Sequence, residues 1–185
     1  MKILSWNCRG ICNTSTVRAL RALVKVRNPQ VIFLCETKAS ESRIQSIACS
    51  LGFSEHLTVA AQGRSGGVCL LRNSTLFVEV LEFNSCTIAV SIRDSICSWS
   101  LVGFYGLTYY HKCCKAWTNL CALLESFVGP WMCFGDFNSI LDAKEKEGGR
   151  NGSSSGLRYL SNLMFDLGAV DLGFAGGERV VLEKD

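Results

Sequence analysis

Val31-Ile32-Phe33-Leu34-Cys35-Glu36 places five apolar residues directly before a carboxylate. No polar residue alternates within the run, so Gln30–Glu36 reads as a short strand buried on both faces. Glu36 must then find hydrogen-bonding or ionic partners wherever it is shielded from water. Rigid strands commonly hand side chains to a cleft at their ends. Glu36 is therefore the first candidate site residue.

Working outward, Lys2–Asn7 reads as a strand entering the same core. Thr14–Arg27 carries Val17, Leu20, Leu23 and Val24 on one helical stripe, with Arg18, Arg21 and Lys25 on another face. Thr14, Ser15 or Thr16 is the expected cap, and the basic face reads as solvated. Ser40–Leu51 is expected to be a second helix, with Ile44, Ile47 and Leu51 inward and Gly52 at its end. Strand-like segments follow at Val68–Arg72, Leu76–Phe83, Thr87–Ile92 and Trp99–Tyr105. Lys115–Phe127 reads as a helix broken by Gly129-Pro130, and Trp131–Phe134 as a buried strand running into Gly135-Asp136-Phe137-Asn138. Ala143–Ser155 is a polar, Gly/Ser-rich loop, and Gly156–Leu167 a last helix stopped at Gly168. Helix-paired and hairpin-like strands occur together, which gives an α/β fold with two packed mixed sheets and helices outside.

Composition narrows the function. A chain of 185 residues with 48% hydrophobic content forms one domain, read as 1–176, followed by a charged tail, 177–185. A net charge of +3 is compatible with nucleic acid without requiring it. Eleven scattered cysteines, with no Cys-x-x-Cys spacing, do not make a zinc knuckle. Without a secretory signal they read as reduced thiols, so a nuclear or cytoplasmic location and no disulfide-linked partner are expected. No apolar run approaches a membrane span, so no membrane partner is expected. His56 and His111 are given no ligand role, and His111 is placed in a polar loop after Tyr105.

Several apolar strands end in polar residues: Asn7, Glu36, Tyr105, and Asp136 followed closely by Asn138. Such oxygen donors suit a hard divalent cation, which usually takes one or two protein carboxylates and keeps several waters. Taken singly, Asn7 reads as a turn residue, Tyr105 as a core aromatic, and Asp136-Phe137-Asn138 as a turn or helix cap.

Their order along the chain changes that reading. Trp6-Asn7-Cys8-Arg9-Gly10, Cys35-Glu36-Thr37-Lys38, Gly63-Arg64-Ser65-Gly66-Gly67, Gly103-Phe104-Tyr105-Gly106, Gly135-Asp136-Phe137-Asn138 and Glu145-Lys146-Glu147-Gly148-Gly149-Arg150 occur in succession. The set resembles the endonuclease/exonuclease/phosphatase superfamily, and specifically the endonuclease domain of plant LINE-type retrotransposons. The resemblance implies a four-layer α/β sandwich, two packed mixed sheets flanked by helices, and phosphodiester hydrolysis assisted by Mg2+ or Mn2+ with DNA as partner. It implies that Glu36 binds the metal, that Asn7 helps organise the metal site, and that Tyr105 contacts the phosphate. Asp136 and Asn138 match the pair that activates and positions the attacking water. Asp171 matches a structural position, and Gly63–Gly67 reads as a tight glycine turn.

The chain also departs from that pattern. The family's closing Ser-Asp-His motif is not in it, and after Gly173-Phe174-Ala175-Gly176 the expected Thr-Trp strand is replaced by a charged stretch. Gly106-Leu107-Thr108 lacks the His-Pro often seen after the tyrosine motif. The expectation is a C-terminally truncated domain with its last strands missing, an exposed apolar sheet edge, and impaired hydrolysis. The alternatives are a catalytically inactive remnant, a weak nucleic-acid-binding module, or a superfamily branch acting on RNA tails, lipids or inositol phosphates.

Overall fold

A run such as Val31–Cys35 is stable only where both of its faces are covered, and the structure covers both. The computed structural model describes residues 1–61, 66–93, 96–107, 110–139, 141 and 155–173. In chain order the elements are β1 (Ile3–Asn7), α1 (Thr14–Arg27), β2 (Val31–Cys35), α2 (Glu41–Leu51), β3 (Glu55–Val59) and β4 (Val68–Arg72). There follow β5 (Phe77–Phe83), β6 (Thr87–Arg93), β7 (Ser98–Tyr105), α3 (Tyr110–Glu125), β8 (Trp131–Asp136) and α4 (Ser155–Asp166). They divide into two compact units: Met1–Tyr105 with Phe127–Asp136, and Gly106–Ser126 with Phe137–Asp185.

The first unit holds both sheets. One has the order β1-β2-β4-β3, the other β5-β6-β7-β8. Each is mixed: β1 runs parallel to β2 and β7 parallel to β8, while the remaining neighbours are antiparallel. Every residue of β2 is buried. On one face, Ile32 and Leu34 of β2 join Cys69 and Leu71 of β4 against Leu20 of α1 and Ile44, Ile47 and Ala48 of α2. On the other, Phe33 meets Phe134 of β8 edge to face, with ring centroids 5.6 Å apart. The sheets approach closely here because residue 103 is glycine, where a Cβ would run into the Phe33 ring.

The helices follow the apolar stripes, with adjustments at their ends. Asn13, rather than Thr14, Ser15 or Thr16, caps α1, its side chain accepting from Ser15 N at 3.0 Å. Ser40 caps α2, and Gly52 closes it in the left-handed region at φ 86°. Arg18, Arg21 and Lys25 are exposed. In the second unit, α3 begins five residues before the expected Lys115, so the backbone at His111 is helical and not in a loop. Among its described side chains, Ala116, Trp117, Leu120, Leu123 and Leu124 are buried. Trp117 stacks on Tyr159 of α4 (centroids 6.1 Å, 13°) and lies 6.0 Å from Phe137.

β3, which was not expected, is an edge strand joined only to β4, and β8 runs two residues past the expected Phe134, through Asp136. β5 is the edge of the second sheet, with Phe77 62% and Phe83 55% exposed; the edge expected from missing last strands is a separate matter that these residues do not test. A register shift between Val80 and Glu82 interrupts β5, a common means of blunting an edge. None of the eleven cysteines forms a disulfide. No described helix is long and apolar enough to cross a membrane. The Glu145–Arg150 motif and the 177–185 tail lie outside the described residues.

Candidate active site

The two parallel strand pairs determine where the polar strand ends fall. In the first sheet Asn7 is level with Cys35, the residue before Glu36. In the second, Tyr105 is level with Asp136. Because β1 packs on β8 across the sandwich, the carboxyl ends of both pairs open toward one another. Crevices at the carboxyl ends of parallel strands are the usual ligand sites of α/β sheets.

The backbone around Glu36 is held on both sides. Beyond the strands, Cys8 N donates to Cys35 O (3.1 Å), Gly10 N to Glu36 O (2.8 Å) and Ile11 N to Thr37 O (2.9 Å). Opposite, Thr37 N donates to Gly67 O and Lys38 N to Gly66 O, each at 3.1 Å. These bonds keep Glu36 at φ 52° and Lys38 at φ 48°, left-handed conformations that cost about 1–2 kcal/mol per non-glycine residue. Thr37 between them is fully buried. Its hydroxyl has no hydrogen-bond partner among the described residues and occupies the space that a Cβ at Gly67 would need. Gly67, at φ 87°, is thus required both for its conformation and for its missing side chain. Of the Gly63–Gly67 turn only Gly66 and Gly67 are among the described residues.

The side chains then meet. Asn7 Nδ2 donates to Glu36 Oε1 at 3.0 Å and to Asp136 Oδ2 at 2.7 Å. One amide group therefore bridges two carboxylates carried by different sheets. Asn7 Oδ1 accepts from Arg9 N at 3.1 Å, which orients the amide with its nitrogen toward the acids. The Tyr105 hydroxyl donates to Glu36 Oε1 at 2.9 Å, and Lys38 Nζ stands 3.6 Å from Glu36 Oε2. Burial disfavours the Glu36 charge, but hydrogen bonds from Asn7 and Tyr105 and the Lys38 ammonium outweigh it. Glu36 consequently titrates below its ordinary 4.5. Burial, and then the adjacent Glu36, push the Tyr105 phenol well above its usual value, so it remains a donor. Directly behind, burial raises the Cys8 thiol to about 11, which keeps it a neutral, inert neighbour.

Asn138 belongs to the second unit. It too has a left-handed backbone, φ 47°, and its Nδ2 donates to Gly106 O at 2.6 Å. A Cβ at Gly106 would run into the Phe137 carbonyl, so glycine is needed where these two loops touch. Asp171 accepts from Gly173 N at 2.9 Å, a local turn contact. Of the expected residues, then, Asn7, Glu36, Tyr105 and Asp136 form one hydrogen-bonded cluster. Lys38, quoted within a motif but given no role, is the residue that sequence reasoning missed.

The donor set can be tested against a metal. Among the described residues no group of three or more His, Cys, Asp or Glu could hold an ion. One carboxylate kept ionised by its partners, as Glu36 is, still serves a hard divalent cation that keeps several water ligands. The residues present fit such an ion.

Two carboxylates brought together at the parallel strand ends of a two-sheet α/β sandwich are an arrangement suited to phosphate-ester chemistry. Residues 4–179 match the Endonuclease/Exonuclease/phosphatase family, and the chain belongs to it. Nucleases of that family generally use divalent metals. No curated protein sequence matches the chain. Among solved structures, an AP endonuclease from Archaeoglobus fulgidus superposes with TM-score 0.72 at 15% identity, covering 89% of this chain and 70% of that one. The 3′ phosphatase NExo from Neisseria bound to product DNA hairpin gives 0.67 at 14% identity, covering 90% and 71%. The AP endonuclease LMAP from Leishmania major gives 0.67 at 16% identity, covering 90% and 66%. At these identities the likeness establishes the fold, two packed mixed sheets with four helices.

Proposed function

We propose that this chain hydrolyses phosphodiester bonds in DNA, using Mg2+ or Mn2+ bound at Glu36. The observation that carries the reading is the Asn7 amide donating at once to Glu36 and Asp136. A group that holds two acids from separate sheets close together implies a cationic species between or beside them. When bound, the cation would polarise a phosphoryl oxygen and offset the charge that develops in the transition state. Glu36 supplies the ligand oxygen. Asn7 is the second residue of the metal site: its nitrogen bridges the two acids, and its oxygen accepts from Arg9 N with a second lone pair left over. Asp136 accepts the proton of the attacking water. Tyr105, kept protonated, donates to the phosphate once the substrate competes with Glu36 for its hydroxyl. The family resemblance assigns the positioning of that water to Asn138.

The retrotransposon branch is the origin we infer, on the Trp6–Gly10 and Glu145–Arg150 motifs. In that setting the reaction is a nick that exposes a 3′ hydroxyl. One observation favours a second reading, nucleic-acid binding with weak or no cleavage: among the described residues no group of three or more His, Cys, Asp or Glu could hold an ion.

Nicking of supercoiled plasmid by the purified chain, with Mg2+ or with chelator, tests the proposal beside Glu36→Ala. Mg2+-dependent nicking that disappears in the variant is the expected result. Salt-sensitive DNA retention without any nicking would support the second reading instead.

A further inference from the structure

Lys38 is placed too deliberately to be a loose surface lysine. Its backbone is held at φ 48° by Lys38 N donating to Gly66 O and by Cys12 Sγ donating to Lys38 O at 3.6 Å. That conformation turns the side chain back across Gly10, where a Cβ would lie 3.8 Å from Lys38 Cδ. The ammonium ends 3.6 Å from Glu36 Oε2. The other Glu36 oxygen, Oε1, is already occupied by Asn7 and Tyr105. Oε2 is thus the oxygen left for a cation, and Lys38 stands against it. The Lys38 side chain is 38% exposed, against 21% for Glu36, so it has open space into which it can withdraw.

We infer that Lys38 is a positioning residue that stands in for the metal. Its ammonium holds Glu36 Oε2 in its ligating orientation in the absence of a divalent cation, and yields that oxygen when the cation binds. The inference rests on the reading of Glu36 as the cation ligand. Its physical consequence is competition. A unit positive charge ~6 Å from a divalent ion in a water-like dielectric opposes binding by roughly tenfold, less where salt screens it.

The test is Mn2+ binding to the full chain, read by calorimetry and by the electron paramagnetic resonance signal of free Mn2+, without substrate. Lys38→Met and Lys38→Gln keep a Cβ at the left-handed position, so the backbone cost is unchanged, and circular dichroism confirms the fold. Both are expected to bind Mn2+ roughly three- to tenfold more tightly than the unaltered chain at low salt, a gain that shrinks at about 1 M KCl. Lys38→Arg, which keeps the charge, is expected to stay within about twofold. Unchanged or weaker binding in folded Lys38→Met and Lys38→Gln overturns the inference, leaving a merely structural lysine. Glu36→Gln separates the two levels. If it retains Mn2+ binding, or if the unaltered chain binds none, the reading of Glu36 fails and Lys38 falls with it. If Glu36→Gln abolishes binding while the Lys38 variants change nothing, only the role of Lys38 is lost.

Discussion

Glu36 and Asp136 both follow from the carboxyl ends of parallel pairs, yet the two are held in different ways. Glu36 leaves a strand flanked on both sides, all of it buried. Its loop is fixed by hydrogen bonds from the β1 side and from Gly66-Gly67, and its carboxylate meets Asn7, Tyr105 and Lys38. Asp136 ends β8, which among the described residues is an edge strand, half-buried along its whole length. The difference matches the division of labour proposed above. A cation ligand gains from a fixed position, because the geometry is then prepared before binding. A proton acceptor needs to be within reach of water, and Asp136 is half-buried.

The largest effects separate the two halves. Asp136→Asn is expected to slow Mg2+-dependent nicking by about 10²–10⁴-fold while leaving Mn2+ binding in place, whereas Glu36→Gln removes both. Comparable loss of binding in both variants would mean the two acids form one undivided ligand set. Next in size is the scaffold of the fixed half. Gly67→Ala forces a Cβ against the Thr37 hydroxyl at a φ of 87°, and is expected to cost about 2–4 kcal/mol in urea unfolding. A cost below about 1 kcal/mol would show that the Gly66-Gly67 grip is slack.

Smaller effects probe the donors. Tyr105→Phe keeps the buried ring and deletes one hydrogen bond to a charged oxygen, so nicking is expected to fall roughly tenfold with little change in unfolding. A loss as large as that of Glu36→Gln would assign Tyr105 a more direct part. The smallest effect lies in acid. The folded-state value of Glu36 is depressed below 4.5, so its contribution to stability is present above the unfolded carboxylate range and is lost as pH falls through the folded value. In chelator, Glu36→Gln is expected to flatten the acid limb of a stability–pH curve in that window. An unaltered limb would mean that the Asn7, Tyr105 and Lys38 contacts do not favour the charged form.

Much of this arrangement is legible in the sequence for simple reasons. Val31–Cys35 has no reading other than a doubly covered strand, and a carboxylate directly after it has few places to go. The apolar stripe of α1 and Gly52 at the end of α2 are equally plain. Other features depend on contacts made far away in the chain. Glu55-His56-Leu57-Thr58-Val59 carries only a weak alternation, and it becomes a strand because β4 offers an edge. The start of α3 was missed because Cys113 and Cys114 do not read as part of an apolar stripe, although both are half-buried. Asn13 outcompetes the neighbouring threonines and serine through one side-chain bond to Ser15 N. At the site, residue types were readable but their contacts were not. The Asn7 bridge needs β1 and β8 to pack together, and the return of Lys38 onto Glu36 needs a left-handed backbone at 38 that only Gly66, Ile11 and their neighbours impose.

The central claim is that Glu36, held by Asn7 of its own sheet and Tyr105 of the other, is the ligand of one cation site. A Mn2+ titration of the unaltered chain, Glu36→Gln and Asp136→Asn tests it most directly. The account predicts one bound ion per chain, lost in Glu36→Gln and retained in Asp136→Asn. Binding that survives in folded Glu36→Gln would contradict it.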